Sequence, residues 1–398
     1  MLGFIAAVVL AAPPDASGVD QGALLHLIKR CKEMSSWGLV VLKDGKTVCD
    51  YDFGKPPMCN LMSATKSITS MAVGALLTDG KLKTVDLPVC KVFPSFTGGK
   101  REKITIRNLL EHTSGLELYT TGLPDNRVAD ALKAKVVTEP GDKFEYNNRA
   151  VDLLSGVVRK LAGMPLDDYA YQRLFRPLGI KRDDFVWVRD PDGNPHGCAE
   201  LAMRPRCMAL LGQLMLQNGV WKGKRLLSED YIKNATTATR ISDQNEEGCG
   251  WLWWISQPYY GFDKDNMDWV ISQGTFDAKQ IQAMDGLIGK SYPNSSWMLR
   301  DLARVVGGVP KWAKADVGEV DNFSITPHSP SDKDGFFAEG WGGQIIFVLP
   351  SRGLVVVRTG GEGFTNTDDA TKYEATDFYS LIAALAPPKA EPQPRGVQ

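Results

Sequence analysis

The sequence predicts an α+β protein in which the N- and C-terminal segments build one antiparallel sheet, flanked by helices, and an all-helical domain is inserted between them. A hairpin pattern occurs near each end of the chain. Residues 38–51 hold two β-rich runs around Asp44-Gly45, and residues 344–359 hold two more around residues 351–353. The intervening sequence shows mainly helical spacing broken by Pro and Gly. Because strands return at the end of the chain, a single sheet accommodates both hairpins.

The same patterns divide the chain into two domains. A discontinuous α/β sheet domain covers residues 19–62 and 250–386, and a mainly helical domain covers residues 63–249. Within the sheet domain, residues 255–338 are a variable insertion that is rich in Trp, Gly, Pro and Asp and lacks sustained periodicity. This composition predicts long loops and short elements, which are either functional or a loosely ordered surface insertion.

Both ends of the chain carry segments outside these domains. Residues 1–16 hold an apolar run of signal-peptide length that ends in small residues and is too short to span a membrane. This predicts a periplasmic or secreted protein. No Lys or Arg precedes the run, so a cytoplasmic protein with an apolar start is the alternative. At the other end we expect a closing helix over residues 370–386 and a disordered, Pro-rich tail over residues 387–398.

Composition narrows the class of partner. Hydrophobic residues make up 43% and charged residues 23% of the chain, and the net charge is −1. This balance favours a small-molecule substrate and argues against a nucleic-acid partner. The seven cysteines form no C-x-x-C motif and only four histidines occur, so we expect no zinc site. We expect no other metal and no cofactor either. Cys198 and Cys207 are close enough in sequence to form a disulfide bond, and the sequence does not decide whether they do.

The first chemical motif is Ser63-Ala64-Thr65-Lys66, at the start of a predicted helix. A Ser and a Lys three residues apart lie on the same helical face. A lysine that desolvation or nearby charge keeps partly neutral can take the proton of Ser63. Free N–H groups at the start of a helix also favour an oxyanion. The alternative is a capping Ser with an ordinary surface Lys.

The second motif is Tyr146-Asn147-Asn148. Beside a cation such as Lys66, Tyr146 can act as an acid or a base, and Asn148 can orient Lys66 and hold a substrate carbonyl. The alternative is a core tyrosine followed by a turn, which Asn-Asn favours. Tyr292-Pro293-Asn294 repeats the spacing, but its proline and its loop setting make it the poorer candidate.

The third motif is Gly340-Trp341-Gly342-Gly343-Gln344, which enters the second hairpin. Its glycines allow close backbone approach, and an N–H there can complete an oxyanion hole. The alternative is a bulge or a strand start. Folding the hairpin brings Arg358 beside Gln344, where it is either an anion-binding residue or a solvated strand charge.

His112 invites comparison with a Ser-His-Asp triad. The chain contains no G-x-S-x-G motif, which argues against an α/β-hydrolase. We therefore expect His112 to be structural, at the end of a helix over residues 106–111.

Together these motifs resemble the serine β-lactamase and penicillin-binding-protein-like hydrolases. The nearest group is the class C β-lactamase-related one, with its esterases, D,D-peptidases and 6-aminohexanoate-dimer hydrolases. The resemblance runs over about residues 37–255 and 336–385. Its motifs, in the order of the family, are Ser63-Ala64-Thr65-Lys66, residues 106–115, residues 140–148, residues 174–179 and Gly340-Trp341-Gly342-Gly343-Gln344.

The resemblance implies a β-lactamase/transpeptidase-like fold and an acyl-enzyme mechanism. It implies Ser63 as the acylated nucleophile, Lys66 as its base, Tyr146 as the second acid or base and Asn148 as an orienting residue. The oxyanion would be held by the N–H groups of Ser63 and Gln344.

One departure from the family pattern concerns substrate. The β-lactamases and D,D-peptidases carry K-T-G or H-x-G on the strand edge, where the cation helps to bind a substrate carboxylate. Here Trp341-Gly342-Gly343 takes that place, as in the esterase branch. We therefore expect a hydrolase of a small ester or amide. The alternatives are a β-lactamase or D,D-peptidase, with Arg358 supplying the cation, and a non-catalytic penicillin-binding or sensor domain.

Overall fold

A computed structural model describes residues 18–54, 57–120, 122–241, 248–255, 260–262, 264–272, 274–288, 290–292, 295–308, 335–360 and 381–387. The predicted signal peptide, most of the predicted closing helix and nearly all of the predicted tail lie outside the described residues. Of the closing helix, residues 381–384 are described and are helical.

The strands form one large sheet and three small ones. In chain order they are β1 (Gly38–Lys43), β2 (Lys46–Asp52), β3 (Cys59–Asn60), β4 (Phe185–Trp187), β5 (Leu201–Met203), β6 (Val220–Trp221), β7 (Lys224–Arg225), β8 (Arg240–Ile241), β9 (Gly248–Cys249), β10 (Trp254–Ile255), β11 (Tyr260–Gly261), β12 (Ser291–Tyr292), β13 (Phe336–Gly340), β14 (Gln344–Leu349) and β15 (Leu354–Thr359).

The large sheet has the order β2-β1-β15-β14-β13-β10-β9-β8, and its neighbouring strands are antiparallel. Its centre joins the two ends of the chain, since Gly38 of β1 pairs with Thr359 of β15. Both predicted hairpins are confirmed. Asp44 and Gly45 form the first turn with φ of 49° and 79°, the left-handed conformation that an Asp-Gly turn favours.

The helices cover both faces of this sheet. In chain order they are α1 (Gln21–Glu33), α2 (Thr65–Thr78), α3 (Val89–Val92), α4 (Ile106–Leu110), α5 (Arg127–Ala131), α6 (Asn148–Ala162), α7 (Leu166–Ala170), α8 (Arg176–Leu178), α9 (Pro205–Leu216), α10 (Glu229–Ala235), α11 (Lys264–Ser272), α12 (Ala278–Asp285) and α13 (Ser295–Val306). A π-helical turn, Tyr171–Phe175, joins α7 to α8.

The inner face of the sheet packs against the helical region. Helix α9 lies directly on it, where Gly212 approaches Ile346 and Val355 so closely that a Cβ would meet their methyl groups at 2.9 and 2.7 Å. Helix α2 is buried along nearly its whole length in the same core. Because α2 follows the turn that carries Ser63, this core fixes the position of the first motif.

The helical region is not purely helical. Strands β3, β5 and β4 form a small sheet within it, and β8 and β9 extend the large sheet beyond β10. Strand β3 pairs with β5 through Cys59 and Met203, just before Ser63. This small sheet therefore helps to set the path of the chain into the Ser63 turn.

The expectation of long loops over residues 255–338 is wrong for the part that the structure describes. Helices α11, α12 and α13 occupy residues 264–306, and their apolar residues cover the outer face of the sheet beside α1. Asp277 and Gln280 form a capping box at the start of α12, which is a sequence signal for a helix. Residues 309–334 lie outside the described residues.

Three further features concern the cysteines, possible metal ligands and possible membrane-spanning helices. All seven cysteines are described and are free thiols, so Cys198 and Cys207 form no bridge. The described residues contain no cluster of His, Cys, Asp and Glu that could hold a metal ion. Among the same residues, no helix is long and apolar enough to cross a membrane.

Candidate active site

Ser63 lies in a short 3-10 turn, Met62–Ala64, that leads from β3 into α2. Met62 adopts a left-handed φ of 49°, and its N–H donates to the side-chain oxygen of Asn60 at 2.9 Å. These contacts hold the turn between strand and helix. As a result Ser63 is half-buried, while the helix that follows it is fully packed.

Lys66 is buried beneath Ser63, with only 3% of its surface exposed. Its Nζ donates to the Oγ of Ser63 at 3.0 Å and to the backbone carbonyl of Cys198 at 2.8 Å. The same Nζ lies 4.8 Å from the centre of the Tyr146 ring. The first and second motifs therefore meet in space, and a proton can pass between Ser63 and Lys66 without an intervening group.

His112 holds the chain on both sides of Tyr146. Its carbonyl accepts the N–H of Glu145 at 2.7 Å, and its Nδ1 accepts the N–H of Asn147 at 3.1 Å. The rings of His112 and Tyr146 lie 4.7 Å apart. Burial, reinforced by the charge of Lys66, lowers the pKa of His112 to about 3, so the ring is neutral and keeps Nδ1 as an acceptor. The structure thus places His112 as a support for Tyr146.

Helix α6 begins at Asn148 because Asn147 caps it. The side-chain oxygen of Asn147 accepts the N–H of Ala150 at 3.0 Å, and its Nδ2 donates to the carbonyl of Leu116 at 2.6 Å. The side-chain oxygen of Asn148 is buried and has no hydrogen-bond partner among the described residues. Asn147 is thus the structural asparagine, and Asn148 is not among the residues that line the cavity.

A cavity opens at Ser63 and holds the reactive groups together. Trp254 of β10 forms one wall, stacked on Tyr146 with ring centres 6.0 Å apart and planes 13° apart. Glu339 of β13 also lines the cavity. Sequence reasoning missed these two residues because no motif contains them. The pairing of β10 with β13 places Trp254 opposite Phe337, two residues before Glu339, and β13 itself contacts the Ser63 turn at Gly340. The full lining is Ser63, Lys66, Ser67, His112, Tyr146, Cys249, Leu252, Trp254 and Glu339.

Strand β13 meets the Ser63 turn at Gly340. A Cβ on Gly340 would lie 2.0 Å from the carbonyl oxygen of Leu61 and 3.1 Å from the N of Ala64. No side chain fits there, so the strand can approach this closely only with glycine. Gly342 and Gly343, with φ of 83° and 80°, instead form the turn into β14. The residues at the edge of the site are therefore Glu339 and Gly340, earlier in the chain than the Trp341-Gly342-Gly343 segment.

The other predicted strand-edge residues lie away from the cavity. The side chain of Trp341 is 62% exposed in the turn. The side-chain oxygen of Gln344 accepts the thiol of Cys59 at 2.7 Å and the N–H of Gly360 at 2.9 Å. Gln344 thus ties strands together and does not line the cavity.

Arg358 is fully buried, which does not match the expected anion-binding or solvated residue. Its guanidinium donates to the Oγ of Ser36 at 2.8 Å and to the carbonyls of Gly343 and Met34 at 3.0 and 3.1 Å. Burial lowers its pKa to about 10. Nε, Nη1 and Nη2 of the guanidinium therefore all donate to groups within the protein. Through Gly343, Arg358 stabilises the turn between β13 and β14.

Behind Lys66 lies a buried polar network that the sequence did not reveal. The carboxylate of Asp152, which is fully buried, accepts the N–H of Cys198 at 3.0 Å and the hydroxyl of Tyr119 at 3.1 Å. Arg127 approaches the same carboxylate at 3.9 Å and pairs with Glu200 at 3.1 Å. Burial raises the pKa of Asp152, and Arg127 opposes this shift.

Comparison with known proteins identifies the family and the fold. The Beta-lactamase family model matches residues 26–386. PbpX of Bacillus subtilis (strain 168), named as a penicillin-binding protein, is 30% identical over 171 residues, which cover 39% of this chain and 43% of PbpX. The chain thus spans less than half the length of this curated relative.

Solved structures show the same fold. A penicillin-binding protein homologue from Caulobacter crescentus superposes with a TM-score of 0.60 at 15% identity, covering 94% of this chain and all of the other. A Bacillus anthracis protein assigned as a 6-aminohexanoate-dimer hydrolase gives 0.60 at 16% identity, covering 89% of this chain and 81% of the other. At these identities the likeness shows the fold alone. With the family match over most of its length, the chain belongs to the beta-lactamase family, whose members are in general serine hydrolases and include some non-catalytic proteins.

Proposed function

We propose that this chain is a serine hydrolase that cleaves a small ester or amide through an acyl-enzyme on Ser63. The observation that carries the proposal is the 3.0 Å contact between the Oγ of Ser63 and the Nζ of the buried Lys66. A serine hydroxyl needs an adjacent base to act as a nucleophile, and this is the geometry of such a pair.

In the first half of the reaction, Lys66, once it has released a proton to solvent, accepts the proton of the Ser63 hydroxyl while Oγ attacks the substrate carbonyl carbon. The tetrahedral oxyanion then collapses, the bond to the leaving oxygen or nitrogen breaks, and a proton reaches the leaving group by way of Tyr146. In the second half a water molecule replaces the leaving group, and the same residues return the proton to Ser63. Tyr146 suits this role because Lys66 and His112 fix its ring in the cavity.

Two backbone N–H groups are proposed to stabilise the oxyanion. One is that of Ser63, at the start of the helical segment. Because Gly340 is the strand residue in contact with the Ser63 turn, the other is expected at the junction of Gly340 and Trp341, in preference to Gln344.

The second candidate function is a β-lactamase or a D,D-peptidase. The name of PbpX and that of the Caulobacter crescentus homologue favour it. The position of Arg358 counts against it, since a buried guanidinium engaged by Met34, Ser36 and Gly343 cannot bind a substrate carboxylate in the cavity. A domain that only captures a ligand without acylation keeps the fold but has no need for the Ser63–Lys66 pair, whereas a penicillin-sensing domain would keep the pair and form a stable acyl-enzyme.

The test compares wild type, Ser63→Ala and a matched control, Ser95→Ala, whose serine is exposed and remote from the cavity. Each protein receives a chromogenic short-chain ester and a chromogenic cephalosporin, and intact mass records any adduct. We expect ester turnover by wild type and by the control, none by Ser63→Ala, and no hydrolysis of the cephalosporin. Ester turnover that persists in Ser63→Ala contradicts the mechanism. A stable cephalosporin adduct on Ser63 supports the penicillin-binding function instead.

A further inference from the structure

A second cavity lies between the start of α9 and the β2 edge of the large sheet. Its volume is about 250 Å³, which is ample for a small organic molecule, since a water takes about 30 Å³ of liquid. It shares no lining residue with the cavity at Ser63. The second cavity is therefore a separate feature of the molecule, and its chemistry can be considered by itself.

The floor of this second cavity is one row of residues across three neighbouring strands. Gly38 of β1 pairs with Asp52 of β2 on one side and with Thr359 of β15 on the other. Directly opposite residues of an antiparallel sheet point to the same face, so Asp52 and Thr359 flank Gly38 below α9. Gly38 leaves the space between them open, because a Cβ there would lie 2.9 Å from Pro205 and 3.1 Å from the Oγ1 of Thr359.

The hydroxyl of Thr359 has no partner inside the protein. Thr359 is 1% exposed, and its Oγ1 makes no hydrogen bond within the described part of the chain. A buried hydroxyl without a partner costs free energy, and a ligand that accepts its proton recovers part of that cost. This end of the row is therefore suited to a hydrogen-bond acceptor.

The start of α9 adds positive charge to the same cavity. No side chain caps this helix, so its first turn keeps the partial positive charge of a helix N-terminus. The guanidinium of Arg204 lines the cavity and, among the described residues, donates only through Nε, to Asp184 at 3.0 Å. Its Nη1 and Nη2 are left as donors, and a guanidinium fits a carboxylate. Arg206 adds no free charge, because it pairs with Asp50.

The other end of the row is acidic. Asp52 is exposed at the sheet edge, where its Oδ1 accepts the N–H of Gly54 at 2.8 Å. A lone anion in the cavity would therefore be repelled by Asp52, and a lone cation would be repelled by Arg204 and the start of α9. A molecule with both charges finds an opposite charge at each end. Trp37, which packs against Gly360, supplies an apolar wall for the rest of such a molecule.

We infer that the second cavity binds a small zwitterion of the amino-acid type. Its carboxylate accepts hydrogen bonds from the hydroxyl of Thr359 and the guanidinium of Arg204, and its ammonium group pairs with Asp52. The side chain of the ligand packs against Trp37. This site does not depend on the reaction at Ser63, and it adds a ligand that the proposed hydrolase does not itself require.

The test is calorimetry with three related ligands: valine, isovalerate, which lacks the ammonium group, and isobutylamine, which lacks the carboxylate. Each is titrated into wild type, Thr359→Val and the matched control Thr47→Val, which changes an exposed threonine of β2 outside the cavity lining. Wild type and the control should bind valine more tightly than either analogue. Thr359→Val should bind valine about tenfold more weakly, as expected for a lost hydrogen bond to a charged group. A wild type that does not bind valine or binds isovalerate equally well, or an unchanged affinity in Thr359→Val, overturns the inference.

Further variants locate the bound valine. Asp52→Asn should reduce the preference for valine over isovalerate by about two- to fivefold, as expected for an exposed ion pair. An unchanged preference contradicts the pairing of the ammonium group with Asp52. Ser63→Ala should bind valine as wild type does, and a loss of binding in that variant would place valine in the other cavity and overturn the inference.

Thermal unfolding without ligand checks the state of the Thr359 hydroxyl. Thr359→Val should be at least as stable as wild type, because the substitution keeps the shape of the side chain and removes a buried hydroxyl that has no partner. A clear loss of stability would show that the hydroxyl is already bonded within the protein, and the inference would then fail.

Discussion

Asp152 accepts the backbone N–H of Cys198 at 3.0 Å, and the carbonyl of Cys198 in turn accepts the Nζ of Lys66 at 2.8 Å. The buried acid therefore fixes the position of the carbonyl that holds the amine, through the backbone of Cys198, and it also interacts with Lys66 through its charge. Tyr119 and Arg127 fix the acid itself. The alignment of Lys66 with Ser63 thus depends on groups that are remote from the cavity.

Removing the acid should impair both stability and catalysis. Asp152→Ala leaves the N–H of Cys198 and the hydroxyl of Tyr119 without their buried acceptor and removes a buried charge that lies 3.9 Å from Arg127, so we expect unfolding to become easier by about 3–5 kcal/mol. Urea unfolding measures this loss. In the fraction that remains folded, kcat on the chromogenic short-chain ester should fall, because the carbonyl of Cys198 that accepts the Nζ of Lys66 is no longer held in place. Asp152→Asn keeps an acceptor oxygen and should retain more activity than the alanine variant; equal rates in the two would show that Asp152 does not position Lys66.

The phenol of Tyr146 is expected to be chemically necessary and structurally dispensable. Tyr146→Phe keeps the ring that packs on His112 and Trp254. Its thermal unfolding should therefore match that of wild type, while kcat falls by about 10²–10⁴-fold, the usual contribution of a general acid or base. Steady-state kinetics and calorimetry on the same preparation give both quantities. An unchanged kcat would assign the proton transfer to a different group.

Stability should decline as the solution becomes acidic, and His112 should account for part of the decline. Its pKa is about 3 in the folded protein and 6.5 in its ordinary state. Between these two pKa values His112 binds a proton in the unfolded chain and not in the folded chain. Each fall of one pH unit therefore lowers the free energy of unfolding by about 1.4 kcal/mol from this group alone. Urea titrations from pH 7 to pH 4 measure the slope. His112→Asn, although less stable at pH 7, should show a shallower slope; a parallel decline would place the acid sensitivity elsewhere.

The parts of this molecule that the sequence predicts correctly are those whose signals are local. The Asp44-Gly45 turn carries its own conformation. The spacing of Ser63 and Lys66 needs only a helix to bring the two together. Family motifs then place Tyr146 beside them, although 80 residues separate it from Lys66.

The parts that it does not predict depend on contacts between distant strands. Trp254 reaches the cavity through the pairing of β10 with β13, and Glu339 reaches it through the contact of β13 with the Ser63 turn. The sequence has no motif for either contact. Arg358 looks like a solvated strand charge, yet the carbonyls that accept its donors belong to residues far away along the chain. The register of β13 could not be read either, because a glycine-rich segment does not reveal which glycine contacts Leu61.

The contact at Gly340 gives a sharp test of that register. Gly340→Ala places a methyl group 2.0 Å from the carbonyl oxygen of Leu61, so the strand must move away from the Ser63 turn. We expect a loss of about 1–3 kcal/mol in the free energy of unfolding and a marked fall in kcat/KM. Gly286→Ala is the matched control, since its added Cβ lies 3.3 Å from the nearest backbone atom in a helix cap. If Gly340→Ala behaves like this control, β13 does not support the site in the described register.

Arg358 gives a complementary test. A structural role predicts that its replacement lowers stability, whereas a substrate-binding role predicts that it lowers activity. Arg358→Met keeps much of the side-chain volume but leaves the carbonyls of Met34 and Gly343 without their buried donor. Each such group costs about 1–3 kcal/mol, so unfolding by urea should show a clear loss of stability. In the fraction that remains folded, kcat/KM on the chromogenic short-chain ester should stay close to that of wild type, because the guanidinium does not line the cavity. A large loss of kcat/KM, with stability unchanged, would instead place Arg358 at the substrate.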